Sequence, residues 1–197
     1  CKSLATLTLS GNPIETLVLP PNGSELKVLQ LAGNRLKTLS ILDDLTKLSQ
    51  FTASNGALQY IYSIPSELIT LNLSGNKLTD LIIPSDSKLK TLNLKNNMLR
   101  TLQIEGEAYN GLETCILEGN QLESLDLAAF VKTKLINVSN NPLKSIELPW
   151  DMKELNISKT ELQSLNLNAH KSFIQKLDAS NCAKLTLIQM SQCTNLS

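Results

Sequence analysis

The stretch LITLNLSGNKLTDLIIPSDSKLKTLNLKNNML, Leu68 to Leu99, states one pattern twice. Leu-x-x-Leu-x-Leu-x-x-Asn-x-Leu runs from Leu68 to Leu78 and again from Leu89 to Leu99, with Asn76 and Asn97 in the same place. In each copy a short run alternates apolar and polar, as Leu71-Asn72-Leu73 does, which predicts a strand with one buried face. Outward from here the pattern recurs as LATLTLSGNPI (Leu4 to Ile14), LKVLQLAGNRL (Leu26 to Leu36) and LETCILEGNQL (Leu112 to Leu122). Looser copies are LSQFTASNGAL (Leu48 to Leu58), TKLINVSNNPL (Thr133 to Leu143), MKELNISKTEL (Met152 to Leu162) and IQKLDASNCAKL (Ile174 to Leu185). The Asn position is held by Asn12, Asn34, Asn76, Asn97, Asn120 and Asn141, and by Gly56, Thr160 and Cys182 in the remaining copies. Successive steps are 22, 22, 20, 21, 23, 21, 19 and 22 residues. A register kept over nine copies is not accidental.

One short strand cannot bury its apolar face alone. Stacked coils would form a parallel sheet with neighbours about 4.8 Å apart and a continuous core behind it. The Asn side chain carries a donor and an acceptor, so it can satisfy backbone groups where the chain leaves the strand. In most coils the residue before it is Gly or Asn, at Gly11, Gly33, Asn55, Gly75, Asn96, Gly119, Asn140 and Asn181, types that tolerate the positive φ of a tight turn. The second half of each coil repeats too, as in Leu81 and Ile83 or Leu125 and Leu127. About 21 residues per coil leave no room for a long convex helix, so extended or single-turn 3₁₀ segments are expected there. Asp43 to Leu45, and Ala128 to Val131, are the places where one helical turn fits.

These copies resemble the leucine-rich repeat superfamily over essentially the whole chain. The resemblance implies an α/β-type solenoid, mainly β: one horseshoe domain of about nine coils over residues 1–197, with a parallel concave sheet. It also implies a scaffold for protein–protein interaction. FTASNGALQYIYSIPSELITLNLSGNKL (Phe51 to Leu78) is similar to repeats of the PH-domain leucine-rich repeat phosphatases. That likeness would make the chain the targeting segment of a larger signalling enzyme. The openings IPSEL (Ile64 to Leu68) and LPWDM (Leu148 to Met152) resemble those of bacterial effector repeats, so a recognition receptor or effector is a third reading.

Composition narrows the partner. Eighteen Lys and Arg against 18 Asp and Glu give zero formal charge, which argues against nucleic acid or an anionic membrane surface. No apolar run approaches the ~20 residues of a membrane span. His170 is the single histidine, and no phosphate-loop, Cys-x-x-Cys or His-Glu-x-x-His motif occurs, so neither an enzyme nor a cofactor or metal site is expected in this chain. The pattern is already running at Leu4 and is barely over at Ser197, which reads as a fragment of a longer array whose ends pack on further repeats. Cys115 takes a core position, Cys182 a ladder position, and Cys193 follows too soon for a further coil. The absence of clustered-Cys caps points to a cytoplasmic setting, with an extracellular one as the alternative. Sequons occur at Asn22, Asn72, Asn137, Asn156 and Asn195, but the repeat itself generates the middle three.

The side chains between the core leucines form columns on the concave face. The middle column reads Thr8, Gln30, Thr52, Asn72, Asn93, Ile116, Asn137, Asn156, Asp178, and the column before it Thr6, Val28, Gln50, Thr70, Thr91, Thr114, Leu135, Glu154, Lys176. Most of these are small solvated polar fillers. Ile116 and Leu135, in adjacent coils, form an aliphatic pair flanked by Thr114 and Asn137, and this is the candidate partner-binding patch. Trp150 at a coil edge is a second candidate. Tyr60 and Tyr62 are lesser ones. Lys90 with Glu113, Lys95 with Glu118, and Arg100 with Glu123 share registers in consecutive coils and predict a structural ion-pair ladder.

Overall fold

The computed structural model describes residues 3–19, 25–39, 42–106, 109, 111–168 and 174–190. His170, Cys193, Asn22 and Asn195 lie outside the described residues. Nine strands of three residues each form one parallel sheet in chain order: Thr6–Thr8, Val28–Gln30, Gln50–Thr52, Thr70–Asn72, Thr91–Asn93, Thr114–Ile116, Leu135–Asn137, Glu154–Asn156 and Lys176–Asp178. The register is the one the repeat dictates. Thr8 pairs with Gln30, Thr52 with Asn72, Ile116 with Asn137, and Asn156 with Asp178. The central residue of each strand points inward. Leu29, Phe51, Leu71, Leu92, Cys115, Ile136 and Leu155 are at most 2% exposed. Each such aliphatic side chain contributes roughly 1.5–3 kcal/mol by leaving water, which is what stacks the coils.

The outer side of the solenoid is more regular than extended or 3₁₀ segments alone. Short strands pair there two by two: Thr38–Leu39 with Tyr60–Ile61, Asp80–Ile83 with Thr101–Ile104, Ser124–Asp126 with Ser145–Glu147, and Ser164–Asn166 with Leu187–Gln189. One helical turn, 3₁₀ in type, spans Leu42–Asp44. Around Ala128 to Val131 the chain makes hydrogen-bonded turns and no helix, with Phe130 N–H donating to Leu127 O at 2.9 Å and Thr133 N–H to Phe130 O at 3.0 Å. The longest coil, 23 residues between Asn97 and Asn120, uses its extra length for an aromatic plug. Tyr109 is 2% exposed, meets Phe130 edge-on at 6.2 Å, and donates its hydroxyl to Leu89 O at 2.6 Å.

Behind the sheet runs a ladder of asparagines. Asn97 is typical: its amide donates to Leu94 O in its own coil and to Leu73 O in the coil before, both at 2.9 Å, and accepts from Leu78 N–H at 3.1 Å. Asn34, Asn76, Asn120 and Asn141 repeat this three-way bond, and all are buried. Asn12, in the first coil, is exposed and bonds Leu9 O at 3.0 Å. Thr160 reaches Ile157 O in its own coil at 2.8 Å, and Cys182 Sγ reaches back to the same carbonyl at 3.1 Å. Before each of these positions the chain turns through positive φ. Gly33, Asn55, Asn96 and Asn140 do so with φ of 72°, 53°, 54° and 55°, and Lys159 joins them at 57° although its Cβ is crowded there.

Candidate functional site

The concave face divides into two halves. From the first coil to the fifth its middle column is Thr8, Gln30, Thr52, Asn72 and Asn93, neutral throughout. From the sixth coil onward the same column reads Ile116, Asn137, Asn156 and Asp178, and the flanking columns add Leu135, Glu118, Glu154 and Lys176, against Val28 and Lys95 in the first five coils. Register pairs Thr114 with Leu135 and Ile116 with Asn137, so Ile116 and Leu135 sit diagonally on neighbouring strands, both half-exposed. Strands spaced about 4.8 Å apart bring such diagonal side chains within reach of each other.

The polar residues around the pair are held in place. Asn137 Oδ1 accepts from Ser139 N–H at 3.1 Å and Ser139 Oγ at 2.7 Å, while its Nδ2 donates to Glu118 Oε2 at 3.2 Å. Glu118 in turn pairs with Lys95 at 2.9 Å. This chain of bonds fixes the polar side chains next to Ile116, and the two aliphatic side chains stand half-exposed beside them. On the other flank a shallow depression of about 230 Å³ is lined by Leu135, Asn137, Glu154, Asn156, Lys176 and Asp178. Lys176 faces Glu154 across 3.9 Å. Asp178 accepts from Ser180 N–H at 3.0 Å, and that bond, with the Ser180 hydroxyl next, holds its carboxyl below the usual carboxylate range.

The middle-column asparagines are more than solvated fillers. Asn72, Asn93, Asn137 and Asn156 each accept the N–H two residues on, at 3.1, 3.1, 3.1 and 2.9 Å. Each thereby closes the turn out of its strand. In the sequons at Asn72 and Asn137 the Ser hydroxyl donates to the Asn oxygen as well.

Trp150 is 65% exposed and lies away from the aliphatic pair, in the turn between Ser145–Glu147 and Glu154–Asn156. Asp151 beside it binds the Lys134 ammonium, and Lys134 precedes Leu135, so the Trp150 turn flanks the edge of the sheet where Leu135 begins. Tyr60 and Tyr62 are exposed on the convex side, far round the coil from the concave columns. The expected ion pairs Lys90–Glu113 (3.3 Å) and Lys95–Glu118 (2.9 Å) form. Arg100–Glu123 does not: Glu123 pairs forward with Lys144 at 2.7 Å, because the carboxylate lies between two cations and the Lys144 ammonium closes on it. Glu154, Asn156, Lys176 and Asp178 were not singled out from the sequence. The onset of charge in the columns after Asn93 was the signal for them. Among the described residues no group of three or more His, Cys, Asp or Glu is placed to hold a metal ion, and no helix is long and apolar enough to cross a membrane.

A family model described as Leucine Rich Repeat matches residues 67–87. No curated protein matches the sequence. Among solved structures, the fold is similar to the functional domain of InlJ from Listeria monocytogenes, which includes a cysteine ladder. The TM-score is 0.75 and the identity 22%, over 98% of this chain and 47% of that one. It is also similar to an LRR protein of Leptospira interrogans, with a TM-score of 0.64 and 22% identity over 88% of this chain and 54% of that one. A chain of the Toll–Spatzle complex of Drosophila matches at a TM-score of 0.60 and 24% identity, over 80% of this chain and 25% of that one. The chain therefore spans about half or less of the length of these structures.

Proposed function

Because this chain is a leucine-rich repeat solenoid, we propose that it is a protein-interaction domain whose partner seats on the concave face over Ile116 and Leu135. The observation that carries the reading is the half-exposed aliphatic pair on adjacent strands, where the rest of the middle column and the column before it is polar but for the single Val28, bordering a depression in the same face. Thr114 and Asn137 frame the contact, and Trp150 extends it along the edge. Exposed apolar side chains ringed by fixed polar groups are the composition of an interface centre. The Toll–Spatzle complex offers one example of a protein with this fold assembled with another protein.

The two end coils offer a second apolar surface. Leu4 and Ile188 are 38% and 37% exposed, whereas their inner counterparts such as Leu26 and Leu165 are buried, and Leu187, 50% exposed, stands where the coil before has Ser164. A further coil stacked on either end would cover them.

The test uses the native chain and three variants, Ile116→Glu, Leu135→Glu and the convex control Val18→Glu, as baits in cell extract with quantitative mass spectrometry. Proteins retained by the native chain and by Val18→Glu, and lost at least about tenfold from both concave variants, are the expected result. Equal retention by all four chains would refute the reading.

A further inference from the structure

Neighbouring coils are joined by three separate sets of bonds, and the sets are interrupted at different places. The concave strands pair at every junction. The ladder joins a coil to the one before it wherever Asn34, Asn76, Asn97, Asn120 or Asn141 stands, and Cys182 makes a weaker join by its thiol. The convex strands pair only two by two, so they leave alternate junctions open. Where the convex strands part between Ile61 and Asp80, Asn76 holds the ladder; where they part between Ile104 and Ser124, Asn120 holds it. Where the ladder lacks a side chain at Gly56, Thr38–Leu39 and Tyr60–Ile61 are paired.

One junction lacks both among the described residues: that between the coil of Asn141 and the coil of Thr160. The Thr160 hydroxyl is too short to span and bonds Ile157 O in its own coil. It makes no counterpart of the Asn141 bonds to Leu117 O and from Leu122 N–H, so Val138 O and Leu143 N–H receive nothing from it. Ser145–Glu147 and Ser164–Asn166 belong to different two-stranded sheets. Between them lies an open groove of about 440 Å³, lined by Ser145, Ile146, Glu147, Ser164, Leu165 and Asn166. The step across this junction, 19 residues, is the shortest in the chain, and Lys159 is held at φ 57° beside it.

Among the described residues, the hydrogen bonds and the ion pair seen to cross the junction lie on the concave side and its edge. Val138 N–H donates to Asn156 O and Asn140 N–H to Ser158 O, each at 2.9 Å, and Lys153 N–H donates to Lys134 O at 2.8 Å. The Lys134–Asp151 ion pair adds to them. Beyond the junction the last two coils are tied together on both sides. Ile157 N–H donates to Asp178 O and Leu167 N–H to Gln189 O, each at 2.8 Å, and Lys184 pairs with Glu161 at 2.7 Å.

We propose that the described residues 152–168 and 174–190 form a separate rigid unit, hinged to the rest of the solenoid along the concave strands Leu135–Asn137 and Glu154–Asn156 and opening on the convex side. A hinge of this kind needs one retained line of hydrogen bonds as its axis and none opposite it; among the described residues the opposite side has only the non-directional packing of the core that includes Leu143, Leu148, Leu162 and Leu165, and the longer-range attraction of Lys144 for Glu161. The concave depression lies across the axis, with Leu135 and Asn137 on one side and Glu154, Asn156, Lys176 and Asp178 on the other. Hinge opening therefore changes its width, and a molecule seated in it fixes the angle. The hinge itself does not depend on the binding reading.

The test is double electron–electron resonance between spin labels introduced through a genetically encoded keto amino acid, which leaves the native thiols untouched. Labels at Asp80 and Ser145 span three junctions that all keep the ladder. Labels at Thr101 and Ser164 also span three, the last being the junction at Thr160, and neither pair uses an end coil. The Thr101/Ser164 distance distribution is expected to be at least about twice as wide as that of Asp80/Ser145. It should narrow to the control width in Thr160→Asn, which supplies the missing rung. Equal widths in the native chain would overturn the proposal, whether or not Thr160→Asn folds. So would a folded Thr160→Asn protein in which the wide distribution persists.

Discussion

Replacing Asn97 by Ala tests the ladder at its centre. The side chain is 7% exposed and makes two donations and one acceptance. The two carbonyls are not orphaned by its loss: Leu73 O still receives Asn76 Nδ2 and Leu94 O still receives Asn120 Nδ2. The Leu78 N–H is orphaned, because Asn97 Oδ1 is the acceptor it uses. One buried N–H left unsatisfied costs about 1–3 kcal/mol, and the two lost donations add up to about 1 kcal/mol each, so a loss of roughly 2–4 kcal/mol is expected. The comparison is Asn93→Ala, four residues away on the concave face. It removes one half-buried bond, from Lys95 N–H at 3.1 Å, and that N–H can turn to water. A loss of about 0.5–1 kcal/mol is expected there, small but not zero. Urea unfolding of both variants, compared at unchanged denaturant slope, measures the difference. If the two losses agree within about 0.5 kcal/mol, the buried ladder is not what distinguishes these positions and the reasoning fails.

Gly56→Ala should destabilise the chain, against the usual stabilising effect of about 0.4–1 kcal/mol for such a change at a compatible site. A Cβ there would lie 2.9 Å from Asn76 Oδ1 and 3.1 Å from Asn34 O, in a gap too tight for water, so coils must part or a rung must shift; a raised midpoint in urea would show that the gap accepts a methyl group. Cys115 is fully buried and burial pushes its thiol up to about 12. At pH 8 a water-soluble disulfide reagent should modify Cys182 well before Cys115, as read by site-resolved mass spectrometry. The sign for stability follows: the unfolded thiol ionises near 9.0 and the folded one near 12, so the contribution of this group is complete below pH 9.0 and is lost as pH rises toward 12. Cys115→Val should reduce that alkaline loss, and an unchanged alkaline profile would count against it.

Much of this molecule was legible in its repeat. The Leu spacing fixed which side chains face inward, and because a one-residue slip would turn every leucine to solvent, it fixed the register of all nine concave strands as well. The adjacency of Ile116 and Leu135 followed from the same register, as did the burial of Asn76 and Asn97. Tertiary structure decided what the period leaves free. Side chains exposed in equivalent positions compete for partners, and Glu123 had cations on both sides; the choice of Lys144 over Arg100 is a matter of a few ångströms that spacing does not encode. Asn72 and Asn137 looked like fillers because their bonds are made to their own turns, a contact at separation two that Asn93, Asn156 and Asp178 share and that the repeat spacing does not single out. The convex strands pair two by two while the concave strands pair at every coil, a difference the leucine spacing does not encode. An unpaired step of the convex strands, meeting a Thr where an Asn would span, is the physical reason one junction of an otherwise uniform solenoid has its described hydrogen bonds along a single side.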